Sequence, residues 1–181
     1  QIPCFAITLT QIKTLTGHTS NVNTIALSPD NKILASGSND TSIIIWDMKK
    51  FSILKIIKAH TSNVNSVCFS PDNKYFASGS TDKTIKIWNP KTFANIKTLK
   101  GHSGAVTTLS FSPDGKTLAS GSDDNTIKLW DINTFKEITT LNGHSFYITC
   151  VAFSKDGKKL ASSSHSNLIN IWEISSKTLV K

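Results

Sequence analysis

Apolar stretches of about five residues alternate with short polar turns along almost the whole chain. Val64–Phe69 and Val106–Phe111, for example, are rich in apolar and β-branched residues, and each is followed by a Pro-Asp-Asn or Pro-Asp-Gly turn. Apolar runs of this length, bounded by turn residues, are typical of β-strands. The pattern therefore predicts an all-β protein built from short strands.

The strand pattern returns every 42 residues. Trp46, Trp88, Trp130 and Trp172 follow this period, and so do His18, His60, His102 and His144. Within one period we predict four strands. The first strand is followed by a second, which covers 75–80 in one repeat and 117–122 in the next. The third strand covers 85–88 and 127–130 in the same two repeats, and the fourth covers 53–57, 95–99 and 137–141 in three successive repeats. An internal repeat of this length outranks every other sequence signal in deciding the fold.

The markers of the repeat point to a known family. Gly-His or Ala-His pairs open the units at 17, 59, 101 and 143, and Trp-Asp, Trp-Asn or Trp-Glu pairs follow at 46, 88, 130 and 172. Over residues 11–181 the chain resembles the WD-repeat family, whose units carry these markers at this length. The resemblance implies an all-β propeller of four antiparallel, four-stranded blades. We expect residues 1–15 to contain the end of a degenerate preceding unit and a strand that closes the ring. Four repeats are expected to follow at 16–57, 58–99, 100–141 and 142–181, the last with an incomplete fourth strand.

The two ends of the chain do not decide how the four blades would close into a ring. Cys4 falls where a preceding tryptophan would stand, residues 178–181 cover only the start of a fourth strand, and residues 11–15 are expected to complete the last blade. The resemblance implies rings of about seven blades, so four blades form an open arc with two apolar faces. Three explanations remain: a fragment of a longer protein, a homodimer that closes an eight-bladed ring, or a strained four-bladed ring. The missing initiator methionine favours the fragment.

The amino-acid composition limits the classes of partner that the protein is expected to bind. The net charge is +8, yet all twenty basic residues are lysine, and they are spread over every repeat. Because arginine supplies the fork that reads guanine edges and phosphates, its absence argues against a nucleic-acid partner. The alternative function is that of a propeller that binds nucleic acid through its lysine-rich surface. No apolar run is long enough to cross a membrane, and three cysteines do not pair evenly. We expect an intracellular protein, cytoplasmic or nuclear, that does not bind membranes.

The resemblance also implies a polar network within each blade. Its members are a histidine, a serine on the second strand, an aspartate in the next turn and the tryptophan. They are His18, Ser36, Asp40 and Trp46; His60, Ser78, Asp82 and Trp88; His102, Ser120, Asp124 and Trp130; and His144, Ser162, Ser166 and Trp172. Serine and imidazole can both donate and accept, so they can link an indole donor to a carboxylate acceptor. Ser166 stands where a carboxylate is expected, which predicts that the last blade is the least stable.

The same residue types occur in hydrolase triads and metal sites, but their pattern argues against both. The trio recurs in three units with a tryptophan ready to occupy the serine oxygen, and no nucleophile-elbow sequence surrounds it. The histidines are 42 residues apart and lack a ligand-spaced companion. We therefore predict no catalytic activity, no metal site and no cofactor.

The predicted function is that of a non-catalytic scaffold that docks peptides or protein domains in larger assemblies. The resemblance implies a partner-binding face at fixed positions after each histidine and before each turn aspartate. These positions are Asn21, Asn23 and Asn39; Asn63, Asn65 and Thr81; Ala105, Thr107 and Asp123; and Tyr147, Thr149 and His165. Phe146 and Tyr147, beside His165, are the expected anchor because aromatic side chains dominate binding hot spots.

Overall fold

The protein is described here by a computed structural model that covers residues 10–175 and 178–180. Within these residues the chain forms sixteen β-strands in four antiparallel sheets, each with four strands in sequence order. Blade 1 consists of β1 (Val22–Leu27), β2 (Ile33–Ser38), β3 (Ser42–Asp47) and β4 (Ser52–Lys58). Blade 2 consists of β5 (Val64–Phe69), β6 (Phe76–Ser80), β7 (Thr84–Trp88) and β8 (Asn95–Lys100).

The other two sheets repeat this order. Blade 3 consists of β9 (Val106–Phe111), β10 (Thr117–Ser122), β11 (Ile127–Asp131) and β12 (Lys136–Leu141). Blade 4 consists of β13 (Ile148–Phe153), β14 (Lys159–Ser164), β15 (Ile169–Glu173) and β16 (Thr178–Val180). The predicted all-β class and the four strands of each unit are confirmed, with strand ends that differ from the prediction by one residue or less.

The hydrophobic core lies between neighbouring blades. One buried cluster joins Ile43 and Ile45 of blade 1 to Val64, Val67 and Phe76 of blade 2. Equivalent clusters join blade 2 to blade 3 and blade 3 to blade 4. Each of the first three sheets is thus covered by the next one along the chain, which is how a propeller buries flat sheets without a separate second layer.

Both ends of this stack are open. Ile25 at the start of blade 1 is 65% exposed, whereas Val67, at the same position of blade 2, is 5% exposed. At the other end, Ile169 of blade 4 is 73% exposed. The two ends do not cover each other, so the strained four-bladed ring is not formed and the predicted open arc is confirmed.

The predicted closing strand is not part of a sheet. Residues 11–15 are outside any strand, and Thr178–Val180 of the same chain pairs with Ile169–Glu173 as the fourth strand of blade 4. The edge that residues 11–15 were expected to occupy is therefore already filled along three residue pairs. Cys4 and the rest of residues 1–9 lie outside the described residues.

Candidate functional site

A hydrogen-bonded network links the second and third strands of blade 1 to the loop that precedes β1. The Trp46 indole Nε1 donates to Oγ of Ser36 at 2.8 Å. The ring of His18 contacts the same Oγ through Nε2 at 2.8 Å and a carboxylate oxygen of Asp40 through Nδ1 at 2.8 Å. Blades 2 and 3 repeat these contacts at 2.8–2.9 Å. The predicted four-residue networks therefore form in the first three blades.

Burial favours the neutral form of the network histidines in blades 2 and 3, and hydrogen bonds favour the ionised form of their aspartates. A carboxylate only accepts, so Nδ1 of each histidine donates to it and Nε2 accepts from serine. Burial lowers the pKa of His60 and of His102 below the ordinary value of 6.5, more than the neighbouring aspartates raise it. Burial by itself would raise the pKa of Asp82, but hydrogen bonds from Thr84 and from the Thr61 amide lower it to about 2.

A fifth residue completes each network, and the sequence interpretation missed it. The Ser42 hydroxyl donates to Asp40 at 2.6 Å, and Thr84 and Thr126 donate to Asp82 and Asp124 in the same way. A signal was present, because a serine or threonine follows each of these aspartates by two residues. The aspartate is thus an acceptor for one side-chain hydroxyl as well as for the histidine.

Blade 4 lacks two members of the network. Its serine bridge remains, since Trp172 and His144 each contact Ser162 Oγ at 2.8 Å. Ser166 replaces the aspartate and instead contacts the Ser164 hydroxyl at 2.8 Å, while Leu168 stands at the position of the fifth residue. The turn changes with them: Thr41, Lys83 and Asn125 have positive φ after the aspartate, and Asn167 does not. The carboxylate therefore also sets the shape of this turn.

The predicted partner-binding positions do come together at one edge of each blade. The backbone amide at the turn position donates to the carbonyl at the first loop position in all four blades. The pairs are Asn39 with Asn21, Thr81 with Asn63, Asp123 with Ala105, and His165 with Tyr147, at 2.9–3.0 Å. The two loops that carry these residues therefore meet at the same edge of every blade, and we call this edge of the four blades the loop face.

Three residues of the loop face also join neighbouring blades. Asn23 and Asn65 donate through Nδ2 to the carbonyls of Val64 and Val106 at 3.0 Å. Thr107 donates to the Ile148 carbonyl at 2.6 Å. Their side chains therefore already have a structural role, which the sequence interpretation did not assign. Thr149, the equivalent in blade 4, contacts the Ser163 hydroxyl of its own sheet at 2.8 Å.

An aromatic stack distinguishes the loop face of blade 4. The rings of Tyr147 and His165 lie 4.7 Å apart at an interplanar angle of 23°. Both side chains are exposed, and Phe146 beside them is 54% exposed. The positions equivalent to Tyr147 and His165 carry Asn, Thr, Ala and Asp in the other blades, and those equivalent to Phe146 carry Ser and Gly. Blade 4 thus offers the aromatic surface predicted as an anchor.

The buried serines are poorly placed for nucleophilic chemistry. Ser78 and Ser120 are fully buried and Ser36 is 3% exposed, and each accepts the indole proton of its tryptophan. The hydroxyl oxygens of these serines are therefore already engaged in hydrogen bonds within the blade. Within the described residues no helix is long and apolar enough to cross a membrane.

Four four-stranded blades and a tryptophan–serine–histidine bridge in each of them define a WD-repeat β-propeller. The model of one propeller family, described as the Echinoderm microtubule-associated protein second beta-propeller, matches residues 22–181, and the chain belongs to this family.

Individual WD-repeat proteins match shorter segments. The chain is 48% identical over 42 residues to Protein HIRA of Dictyostelium discoideum, which is 23% of this chain and 4% of that protein. It is 56% identical over 36 residues to WD repeat protein iqw1 of Schizosaccharomyces pombe, which is 20% of this chain and 4% of that protein. It is 51% identical over 35 residues to Small ribosomal subunit protein RACK1 of Medicago sativa, which is 19% of this chain and 11% of that protein.

A solved structure shows the same fold over almost the whole chain. The structure of U3-55K superposes with a TM-score of 0.88 at 27% sequence identity, covering 93% of this chain and 53% of that one. The chain therefore spans about half the length of this structural neighbour and about a tenth or less of the curated relatives it matches.

Proposed function

We propose that this chain is a non-catalytic, intracellular interaction module that captures a peptide or domain of another protein on its loop face. Blade 4 provides the anchor through Tyr147, His165 and Phe146. The complete networks hold the loops of blades 1–3 in place, and in blade 4 the backbone hydrogen bond from His165 to Tyr147 joins the two loops that carry the anchor. One relative is named a WD repeat protein. Fold alone does not specify a function, so the proposal depends on this surface.

The observation that carries the proposal is the exposed stack of Tyr147 on His165. Stacking with a centroid distance of 4.7 Å fixes the orientation of both rings before any partner arrives. Rigid aromatic side chains bury a large area at a small entropic cost, which makes them frequent hot spots. The stack also lies on the loops and not in a strand, so its removal leaves the sheet intact.

Tyr147→Ala tests this proposal. The purified chain is used to capture proteins from a cell extract, the bound proteins are identified, and the affinity of a purified partner is measured for each variant. We expect Tyr147→Ala to weaken binding about tenfold or more, because truncating an aromatic hot spot costs about 2 kcal/mol. The thermal unfolding midpoint should change little.

Asn63→Ala is the matched control, because Asn63 occupies the equivalent position of blade 2 without an aromatic neighbour. It should leave the affinity nearly unchanged. An equal loss in both variants, or none in Tyr147→Ala, would contradict an anchor on blade 4.

Salt dependence distinguishes this function from nucleic-acid binding through lysines. Two of the lysines at equivalent turn positions already pair with their own aspartates, Lys32 with Asp30 at 3.5 Å and Lys74 with Asp72 at 3.0 Å. Binding to phosphates would make the logarithm of the affinity fall steeply with the logarithm of salt concentration. We expect a shallow dependence for a partner held by the aromatic anchor, and a steep one would favour nucleic acid.

A further inference from the structure

One oxygen of each network aspartate accepts two hydrogen bonds from the loop that precedes the blade. In blade 1, Oδ2 of Asp40 accepts from Nδ1 of His18 at 2.8 Å and from the backbone amide of Thr19 at 2.9 Å. The same two donors meet Oδ2 of the aspartate in blades 2 and 3, at 2.8–3.1 Å. Three copies of the repeat therefore define a carboxylate site that consists of one imidazole N–H and one backbone N–H.

Blade 4 keeps the imidazole of this site in place. Nε2 of His144 contacts Ser162 Oγ at 2.8 Å, as the equivalent histidines do in the other blades. The ring centroids of His144 and Trp172 are 6.5 Å apart, compared with 6.3 Å for His102 and Trp130. The ring of His144 is therefore oriented like that of blade 3, and its Nδ1 faces the place where the other blades hold their carboxylate.

The two donors of blade 4 have no acceptor within the blade. Ser166 stands at the aspartate position, but its hydroxyl contacts the hydroxyl of Ser164 at 2.8 Å instead. Within the described residues, neither Nδ1 of His144 nor the backbone amide of Ser145 has a hydrogen-bond partner. In this part of the chain the one buried side-chain polar atom without a partner is Asn73 Oδ1, so Nδ1 of His144 is accessible to solvent. Both donors are therefore available to an acceptor from another molecule.

The surroundings of these donors favour an anion that arrives with a partner. Ser145 directly precedes Phe146 and Tyr147 in the chain, and Ser166 directly follows His165, which stacks on Tyr147. The loops of blade 4 at residues 142–149 and 164–168 contain no Asp or Glu that would repel an anion, and the whole chain carries a net charge of +8. The donors therefore lie beside the aromatic anchor, on a surface without negative charge of its own.

We propose that blade 4 binds an aspartate or glutamate side chain of the partner, whose carboxylate accepts from Nδ1 of His144 and from the Ser145 amide. The incoming carboxylate takes the position that the network aspartates fill in blades 1–3. A neighbouring apolar or aromatic residue of the partner packs on Tyr147, so the recognised segment pairs an acidic residue with an apolar one. This inference names the chemistry of the partner and rests on the proposed function.

A double variant that supplies the carboxylate from within the chain tests this proposal. Ser166→Asp with Leu168→Thr gives blade 4 the turn residues of blades 2 and 3, so its own aspartate should accept from the two donors. Random peptides displayed on phage are selected on the wild-type chain, and the affinity of each enriched peptide is measured after synthesis. We expect these peptides to contain Asp or Glu. Exchange of that residue for Asn or Gln should weaken binding about tenfold, because it removes a charge-assisted acceptor.

The double variant should bind the same peptides about tenfold more weakly, while its thermal unfolding midpoint does not fall. Damage to the blade would lower both the affinity and the midpoint, so this combination identifies occupation of the site by the new carboxylate. Leu168→Thr alone is the matched control. It changes the turn without adding a carboxylate, and it should bind the peptides as tightly as the wild type does.

Tyr147→Ala separates the carboxylate site from the aromatic anchor. Selection of no peptide, or equal affinity of the wild type and the double variant, would overturn the carboxylate site. Enriched peptides that lack Asp and Glu but lose affinity in Tyr147→Ala would also overturn it, and would leave the anchor supported. Acidic peptides that lose affinity in the double variant but not in Tyr147→Ala would support the carboxylate site and contradict the anchor.

Discussion

The aspartate is the most heavily bonded residue of each network. Asp40 accepts from the His18 ring, from the backbone amides of Thr19 and Ser42, and from the Ser42 hydroxyl, all at 2.6–2.9 Å. Multiple donors stabilise the ionised carboxylate strongly relative to the protonated form. The aspartate therefore ties the loop before the first strand to the turn before the third strand, and the histidine passes this constraint to the serine and tryptophan in the core.

We predict that the free energy of unfolding decreases as the pH falls from neutral. The pKa values of His60, His102 and His144 are lowered by burial, so below pH 6.5 the unfolded chain binds more protons than the folded one. His60 and His102, the more buried of the three, then each contribute a slope of up to about 1.4 kcal/mol per pH unit, and His144 contributes less. Asp82 adds a second loss as the pH falls from about 3.8 through its folded pKa of about 2.

Urea unfolding at a series of pH values from 7.5 to 5 measures this dependence. His60→Gln should make the slope shallower, because one group that takes up a proton on unfolding has been removed. His165→Gln is the control, since that side chain lies on the surface outside the networks. An identical slope in His60→Gln and the wild type would contradict the assignment of buried neutral histidines.

At the scale of the strand and turn, the repeat made most of the structure predictable. Strand positions follow from the apolar pattern that recurs in four copies, whereas the antiparallel blades and the four-residue networks follow from the resemblance to the WD-repeat family. Positive φ at Thr41 and Lys83 was not predictable, since β-branched and long side chains rarely adopt it. It arises because the aspartate carboxylate accepts the amide and hydroxyl two residues later and closes the turn around the intervening residue.

The turn of blade 4 is the place where two substitutions should act together. Ser166→Asp alone adds a carboxylate without its hydroxyl donor, and Leu168→Thr alone adds a donor without its carboxylate. We expect the double variant to raise the free energy of unfolding by about 1–2 kcal/mol, and by more than the sum of the single changes. Thermal unfolding of the four proteins in this double-mutant cycle provides the measurement.

Blade 3 provides the reverse experiment as a control. Asp124→Ser with Thr126→Leu gives blade 3 the residues that blade 4 carries at these positions. The pair should destabilise the protein, again non-additively. Purely additive effects in both blades would mean that the carboxylate and the hydroxyl do not act as one unit.

At the scale of the whole molecule, the sequence predicted an open arc but did not show which residues meet between neighbouring blades. The difference between ASGS in three repeats and ASSS in the fourth is visible in the sequence. The role of the glycine depends on the contact between Gly79 and Val106, residues 27 positions apart in different blades. The loop face contains a second contact that the sequence does not reveal. Asn23 and Asn65 are predicted to be surface residues, but in the structure their side chains donate to carbonyls of the neighbouring blade.

We predict that the thiols of Cys68 and Cys150 react with a maleimide at different rates. Burial raises the pKa of the partly buried Cys68 to about 12, whereas Cys150 is exposed on blade 4. Because the thiolate is the nucleophile, a maleimide should label Cys150 faster than Cys68 in the folded protein. Mass spectrometry in a Cys4→Ser background checks this. Labelling of Cys68 as fast as Cys150 would contradict the burial of that side chain.

The hydrogen bonds from Asn23 to Val64 and from Asn65 to Val106 reach only to the adjacent blade, and so does each core cluster. In such a linear array each unit is held by its nearest neighbours alone. The two outer blades have one neighbour and the two inner blades have two. Under mechanical tension applied at its termini, this chain should therefore lengthen in steps, with the outer blades released before the inner ones.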